Sequence, residues 1–368
     1  MMSRKKLLFV LGTRPEAIKL GMLMRQAPGE FETRVCITSQ HGLMLQQMLS
    51  LFEIKPDYDL SVMRPNQNLS GLTARILEGM VPVLDEFKPD MVLVQGDTTT
   101  VMAGALAAFY AGIKVGHVEA GLRSDSRSEP FPEEINRRLT TQLADFHFAP
   151  TSLAANRLLN EGVSPESVFV TGNTVVDALQ YVKDRLERDG ALFSAYFSGL
   201  GIDTGSPFVL ITSHRRENFG EGLRNICRAV LQVAASGIAV VFPVHLNPNV
   251  QQLVKEELAG VSNIHLIEPQ EYDRLLFLLM HCRFVISDSG GIQEEAPSFG
   301  KRVLVLRNRT ERPEGLDAGW LTLVGTDVGR IVHEARLLME HTTPPEGGNP
   351  YGDGNASARI LSIIGDRL

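Results

Sequence analysis

The sequence predicts an α/β chain of two Rossmann-like domains, each a doubly wound parallel sheet, with a cleft between them. Three observations predict it. The 368 residues exceed one ordinary domain. Short runs rich in Val, Ile, Leu and Phe, with little polar alternation, have the composition of parallel strands buried on both faces. These runs alternate with helix-length amphipathic stretches in two successive series.

In the first series the strands are expected at 6–12, 33–38, 91–95, 114–118, 146–149 and 167–171. Helices fill the intervals at 17–26, 43–52, 69–87, 100–111, 133–144 and 153–161. The opening run Leu7-Leu8-Phe9-Val10-Leu11 follows Arg4, Lys5 and Lys6 as in a leader peptide, but stops at Gly12-Thr13-Arg14-Pro15-Glu16. It is too short for a leader core and lacks a small-residue cleavage pattern, so it reads as a first buried strand. The second series has strands at 208–213, 239–244, 264–268, 284–287 and 303–306, with helices at 223–235, 248–258, 272–281, 292–299 and 328–339. The join falls between Asp177 and Pro207, where a polar helix gives way to loop-like composition from Ser198. The expected domains are therefore 1–176 and 177–355. A Pro- and Gly-rich loop, 342–355, precedes a last helix at 356–365.

Bulk composition narrows the function classes. Hydrophobic residues at 43% and charged residues at 21% supply a globular core. A net charge of −7 argues against a general nucleic-acid or membrane binder, though not against a local phosphate pocket. No window approaches a membrane span. Cys36, Cys227 and Cys282 are odd in number and widely spaced, which reads as reduced, buried thiols of a cytoplasmic protein rather than a disulfide or zinc framework.

Ligands of doubly wound sheets sit outside the carboxyl ends of the strands. The first strand ends in Gly12, with Arg14 and Lys19 near a positive helix end that suits phosphate or carboxylate; turn and capping roles account for the same residues. G-x-G-x-x-G is absent there. The segment Ser287-Asp288-Ser289-Gly290-Gly291, followed by Glu295 about one turn later, is the stronger candidate. Its glycines let a pyrophosphate approach backbone N–H groups, and the acid can accept from ribose hydroxyls. His214 and His245 follow successive strands of the second half. In the first half Asp97, Glu119 and Glu133 follow strands or open helices, and are candidates to converge. Asp97 also fits a helix N-cap and Glu133 a first helical turn. Several carboxylates around a sugar suit proton abstraction and return. Spacing alone does not separate this from glycosyl transfer or hydrolysis. Asp57-Tyr58-Asp59 carries little weight as a metal motif, and no cluster has metal-ligand spacing.

Taken together, GTRPEAIK (12–19), VQGDTTT (94–100), GHVEAGLR (116–123), PEEINR (132–137), FVTGNTVVDAL (169–179), HRREN (214–218), PVHLNP (243–248), SDSGGIQEEAPS (287–298), ERPEG (311–315) and NPYGDGNAS (349–357) resemble the bacterial non-hydrolysing UDP-N-acetylglucosamine 2-epimerases. The segments run in order along nearly the whole chain. The resemblance implies a glycosyltransferase-B type fold whose last helix, 356–368, packs back onto the first domain, a homodimer, and no nicotinamide or metal. It implies a reversible conversion of UDP-GlcNAc to UDP-ManNAc through 2-acetamidoglucal. By motif match, Asp97, Glu119 and Glu133 become the acid/base or essential carboxylates and His214 the support of the leaving diphosphate. Ser289, Gly290 and Gly291 would hold phosphate oxygens, Glu295 the ribose, and Arg14, Lys19 and Arg312 would supply positive charge. In some relatives a second UDP-GlcNAc activates the enzyme. Gln40 and His245 are the matching regulatory candidates, while Gly42 and Leu43 depart from the pattern and predict weak or altered activation. The stretch Ser124–Phe131 also departs, which leaves the sugar substituents open. The rival functions are epimerisation of a UDP-diacetamido uronic acid, a hydrolysing epimerase, a glycosyltransferase that needs an acceptor, and a nucleotide-sugar sensor. Three intact carboxylates argue against the sensor.

Overall fold

The computed structural model describes residues 4–39, 42–64, 67–124, 126–215, 218–341 and 343–368. The chain divides into two compact units, the first comprising 1–178 with 351–368 and the second 179–350.

The first unit holds strands β1 (Lys6–Leu11), β2 (Glu32–Ile37), β3 (Tyr58–Asp59), β4 (Met91–Gln95), β5 (Lys114–Val118), β6 (Phe146–Ala149) and β7 (Val168–Val170). Its helices are α1 (Arg14–Gln26), α2 (Gly42–Leu51), α3 (Leu69–Phe87), α4 (Thr99–Tyr110), α5 (Glu133–Leu143) and α6 (Ser152–Asn160), and α7 (Thr174–Arg188) begins in it and runs on into the second unit. The strands pair in parallel in the order β3-β2-β1-β4-β5-β6-β7. Apolar strand residues explain the placement: Leu8, Val10, Val92, Val94 and Val115 are fully buried against α3 and α4. Helix α3 shows the matching helical period, since Leu72, Ile76, Met80, Val83, Leu84 and Phe87 are its buried residues.

The second unit contains α8 (Gly190–Gly199), β8 (Phe208–Thr212), α9 (Glu221–Ala234), β9 (Ala239–Pro243), α10 (Pro248–Leu258), β10 (Ile264–Ile267), α11 (Tyr272–His281), β11 (Phe284–Ser287), α12 (Gly290–Glu295), β12 (Val303–Val305), α13 (Pro313–Asp317), β13 (Leu321–Leu323) and α14 (Val328–Glu340). Its parallel order is β10-β9-β8-β11-β12-β13. Val209, Ile211, Phe242, Ile286 and Leu304 bury with α9, α10 and α14. The final helix, α15 (Ala356–Arg367), packs on α1 within the first unit.

Four differences from the sequence reading have physical causes. Strands β3 and β13 are two and three residues long, too short to show an apolar run. The single helix expected before Ser198 is divided in two, and its second part is α8. It is held by Phe193 and Phe197 stacking on Phe277, at centroid distances of 5.2 and 5.9 Å. The helix expected at 292–299 starts at Gly290 and tightens into a 3-10 turn at Ala296–Phe299, where Pro297 lacks the N–H an α-helix would use. The cap of α4 is Thr98, whose hydroxyl accepts from the Val101 N–H, so Asp97 is free of that duty. The three cysteines are buried and free, as the sequence implied. Among the described residues no helix is long and apolar enough to cross a membrane.

Candidate active site

Each unit carries a polar cluster where its strand order reverses, the place at which loops diverge and open a crevice. In the first unit the reversal lies between β1 and β4. There Thr13 caps α1, and the Glu16 carboxylate turns back to accept the Gly12 and Thr13 N–H groups at 2.5 and 2.9 Å. The second Glu16 oxygen accepts the Thr98 hydroxyl from the β4 side. Burial pushes the Glu16 carboxyl up to about 7; the bonds from Thr98, Gly12 and Thr13 work against that rise, and Asp97 adds to it. The positive end of α1 is thus met by the chain's own carboxyl group. This favours the capping account of that loop over an open phosphate site. Arg14, in the first turn, is half-buried.

Lys19, one turn further along α1, forms a buried ion pair with Glu119, which also accepts from the Gln95 side-chain amide at 3.0 Å. Glu119 leaves β5 in the left-handed region, with φ 65°. A non-glycine residue there carries backbone strain. Two residues on, Gly121 has φ 90°, and a Cβ would lie 2.2 Å from the Ala154 carbonyl oxygen; only glycine fits. Just before these turns, on β5, His117 bonds the Gly96 carbonyl at 2.8 Å and ties the β5 end to the turn that bears Asp97. Burial lowers the His117 pKa to about 3, so the ring is neutral and donates through Nε2.

Asp97 is ion-paired with Arg137 on α5, and Asn136 donates to the Asp97 carbonyl at 3.0 Å. Arg137 also meets the fully buried Glu134, which receives Arg138 and Ser124 as well. Glu133 begins α5 and is half-buried; among the described residues nothing hydrogen-bonds or ion-pairs with its carboxylate. The structure therefore joins Lys19 to Glu119 and Asp97 to α5, the helix Glu133 begins. Arg137 and Glu134 were missed by sequence reasoning. The signal was present, because Arg137 closes the PEEINR segment and returns one helical turn after Glu133.

In the second unit the reversal lies between β8 and β11. His214 follows β8, and its Nδ1 meets the carboxylate of Asp288 at 3.1 Å. His245 follows β9 and is exposed, its ring 6.5 Å from that of His214. Ser289 caps α12 by accepting the Ile292 N–H. Gly290 and Gly291 are its first two residues. The Arg312 guanidinium lies against Gly290 so closely that a Cβ there would be 2.9 Å from Nη1. Arg312 donates to Glu294 at 2.6 Å and pairs with Glu311, which also pairs with Arg307 at 2.8 Å. Burial acts to raise Glu311, but Arg312 and Arg307 outweigh it and hold its carboxyl well below the usual range. Glu295 is buried and accepts from the Tyr272 hydroxyl at 3.1 Å. Gln40 lies outside the described residues. Asp57 and Asp59 staple loops, accepting from the Val35 N–H and from Ser39 and Ser61.

Comparison with known proteins bears on this chemistry. A family model described as UDP-N-acetylglucosamine 2-epimerase matches residues 24–365. The UDP-N-acetylglucosamine 2-epimerase of Yersinia pestis is 51% identical over 98% of each chain. That of Escherichia coli (strain K12) is 50% identical over the same shares. The crystal structure of the Neisseria meningitidis UDP-GlcNAc 2-epimerase bound to UDP-GlcNAc superimposes with a TM-score of 0.92 at 47% identity, covering 98% of this chain and 100% of that one.

Proposed function

This chain belongs to the UDP-N-acetylglucosamine 2-epimerase family, and from that premise we propose that it interconverts UDP-GlcNAc and UDP-ManNAc by elimination and re-addition of UDP. The observation that carries the chemistry is Glu119, a carboxylate in strained backbone at the end of β5, paired with Lys19 on the helix that follows β1.

The C2–H bond of the sugar is not activated by a carbonyl, so a leaving group must drive its cleavage. A carboxylate takes the C2 proton, the C–H electron pair becomes the C1=C2 bond, and the C1–O electron pair departs on the diphosphate. The product is 2-acetamidoglucal and UDP. Delivery of a proton to the other face of C2, with return of the diphosphate oxygen to C1, gives the epimer. Asp97, Glu119 and Glu133 are the groups assigned to proton transfer. His214 and Arg312 are assigned to the negative charge that develops on the diphosphate, with Ser289, Gly290 and Gly291 offering backbone and hydroxyl donors. Glu295, oriented by Tyr272, is assigned to the ribose hydroxyls. Arg14 and Lys19 are assigned to supply positive charge, and Lys19 is also the ion-pair partner of Glu119.

The family resemblance also supports a homodimer. The buried thiols are in keeping with a cytoplasmic setting. His245, exposed beside His214, remains the candidate for sensing a second nucleotide sugar, with activation weakened by Gly42 and Leu43.

Incubation with UDP-GlcNAc in D2O, followed by NMR, tests the reading. Deuterium at C2 together with UDP-ManNAc is expected. Free ManNAc and UDP would instead establish hydrolysis, and an inert sugar with UDP still bound would move the substrate to a modified sugar or a transferase acceptor.

A further inference from the structure

Asp288 has no exposed surface, yet its carboxylate receives five donors from the loop that follows β8. The Ser213 hydroxyl donates at 2.9 Å, the His214 and Arg215 N–H groups at 3.1 Å, the Asn218 amide at 3.0 Å, and His214 Nδ1 completes the set. Sheet register creates this cage. Ser287 lies opposite Thr212 in the β11–β8 pairing, and their hydroxyls bond at 2.6 Å, so the next residue, Asp288, arrives beside Ser213 and His214. Burial acts to raise the Asp288 pKa, but the His214 ring and the backbone donors outweigh it and hold it below the ordinary value.

A carboxylate that only accepts cannot face a bare imidazole nitrogen without setting lone pair against lone pair. It fixes a proton on Nδ1 and turns Nε2 to the opposite edge of the ring. The His214 side chain is 47% exposed, so that opposite edge is open to a ligand.

We propose that Asp288 is the positioning residue for His214, holding the ring with Nδ1 protonated so that Nε2 is the atom a diphosphate oxygen meets. The proposal rests on the reading that His214 supports the leaving diphosphate. A second proton, taken up from solvent, would sit on Nε2 and pass to the departing oxygen, leaving the neutral Nδ1–H ring, with Asp288 balancing the charge while the ring holds both protons. The arrangement parallels the role of the aspartate in a Ser-His-Asp triad, which orients the imidazole without being protonated itself.

The test begins with the wild-type enzyme, uniformly labelled with 15N-histidine. There are nine histidines, so the His214→Gln spectrum identifies the ring concerned. Long-range 1H–15N correlations are expected to show neutral His214 with its proton on Nδ1; a proton on Nε2 and a bare Nδ1 would overturn the proposal even if no Asp288 variant folds. In Asp288→Asn the amide can donate to Nδ1, so the proton is expected to move to Nε2 and kcat to fall about 10²-fold. The same substitution in a His214→Gln background is expected to cost less than about twofold more. Full additivity of the two losses, with His214→Gln itself impaired, would overturn the proposal alone. A wild-type rate for His214→Gln would overturn the reading of His214 on which it rests, while the tautomer measurement would still report on Asp288.

Discussion

Glu16 illustrates how one buried acid can serve the fold and load the site at once. Its carboxyl caps α1, reaches β4 through Thr98, and has a pKa of about 7 against 4.5 for the free side chain. The sign of the linkage follows. Between these values the folded protein holds a proton that the unfolded chain has released. Stability from this group is fully present below about pH 4.5 and is lost as pH rises through 7. The change is about 3 kcal/mol across the window if no other group compensates. Glu16→Gln mimics the protonated form and keeps an acceptor for the Gly12 and Thr13 N–H groups. Urea denaturation at pH 5 and pH 8 is expected to show the variant gaining on the wild type by about 2–3 kcal/mol at the higher pH. A difference independent of pH would mean that Glu16 is charged in the folded state throughout.

At the scale of elements, the two sheets were legible because parallel strands buried on both faces leave continuous apolar runs, as in Leu7–Leu11 and Phe284–Ser287. Strands β3 and β13 were not, since Tyr58–Asp59 owes its place to pairing with Cys36 and Ile37 rather than to its own composition. The site divides in the same way. Carboxylates and glycines at strand ends announce themselves by sequence position. The partners that orient them, Asp288 for His214 and Arg137 for Asp97, depend on which strands and helices become neighbours; the PEEINR segment brings Arg137 to notice but does not say that it meets Asp97. Helix α12 offers a test of the element that joins Gly290 to Arg312. A methyl group on Gly290 would come 2.9–3.1 Å from the guanidinium and displace it from Glu294 and Glu311. Gly290→Ala favours helix by up to about 1 kcal/mol in backbone terms, so the melting temperature is expected to change little. The expected loss is in ligand recognition, a rise of roughly tenfold in the Kd for UDP by titration calorimetry, consistent with about 1.4 kcal/mol. Unchanged UDP affinity would detach Arg312 and this turn from the nucleotide.

For the whole molecule, the chain leaves the first unit through α7 and re-enters it with α15. The return is built into the first unit's own structure. Asp177 on α7 accepts the Ala356 and Ser357 N–H groups at 3.2 and 2.7 Å, supplying the cap that α15 lacks in itself. The Asn173 N–H donates to the Tyr351 carbonyl, and Arg359 donates to the Thr171 carbonyl. Ile360, Leu361 and Ile364 are buried along α15. Three such side chains contribute on the order of 5 kcal/mol or more, which is comparable to the entire stability of many domains. A chain ending at Pro350 is therefore expected to lose cooperative folding of the first unit near room temperature, and turnover with it. His214, Ser289, Gly290, Gly291, Glu295 and Arg312, the groups assigned to the leaving diphosphate and the ribose, lie in 179–350, whose sheet and buried core are complete without α15. UDP affinity measured by calorimetry should then stay within a few-fold of the full chain, while circular dichroism records an early, partial melting transition. Loss of UDP binding together with turnover would show that the second unit depends on the first for its own fold, and that the two cores are energetically one.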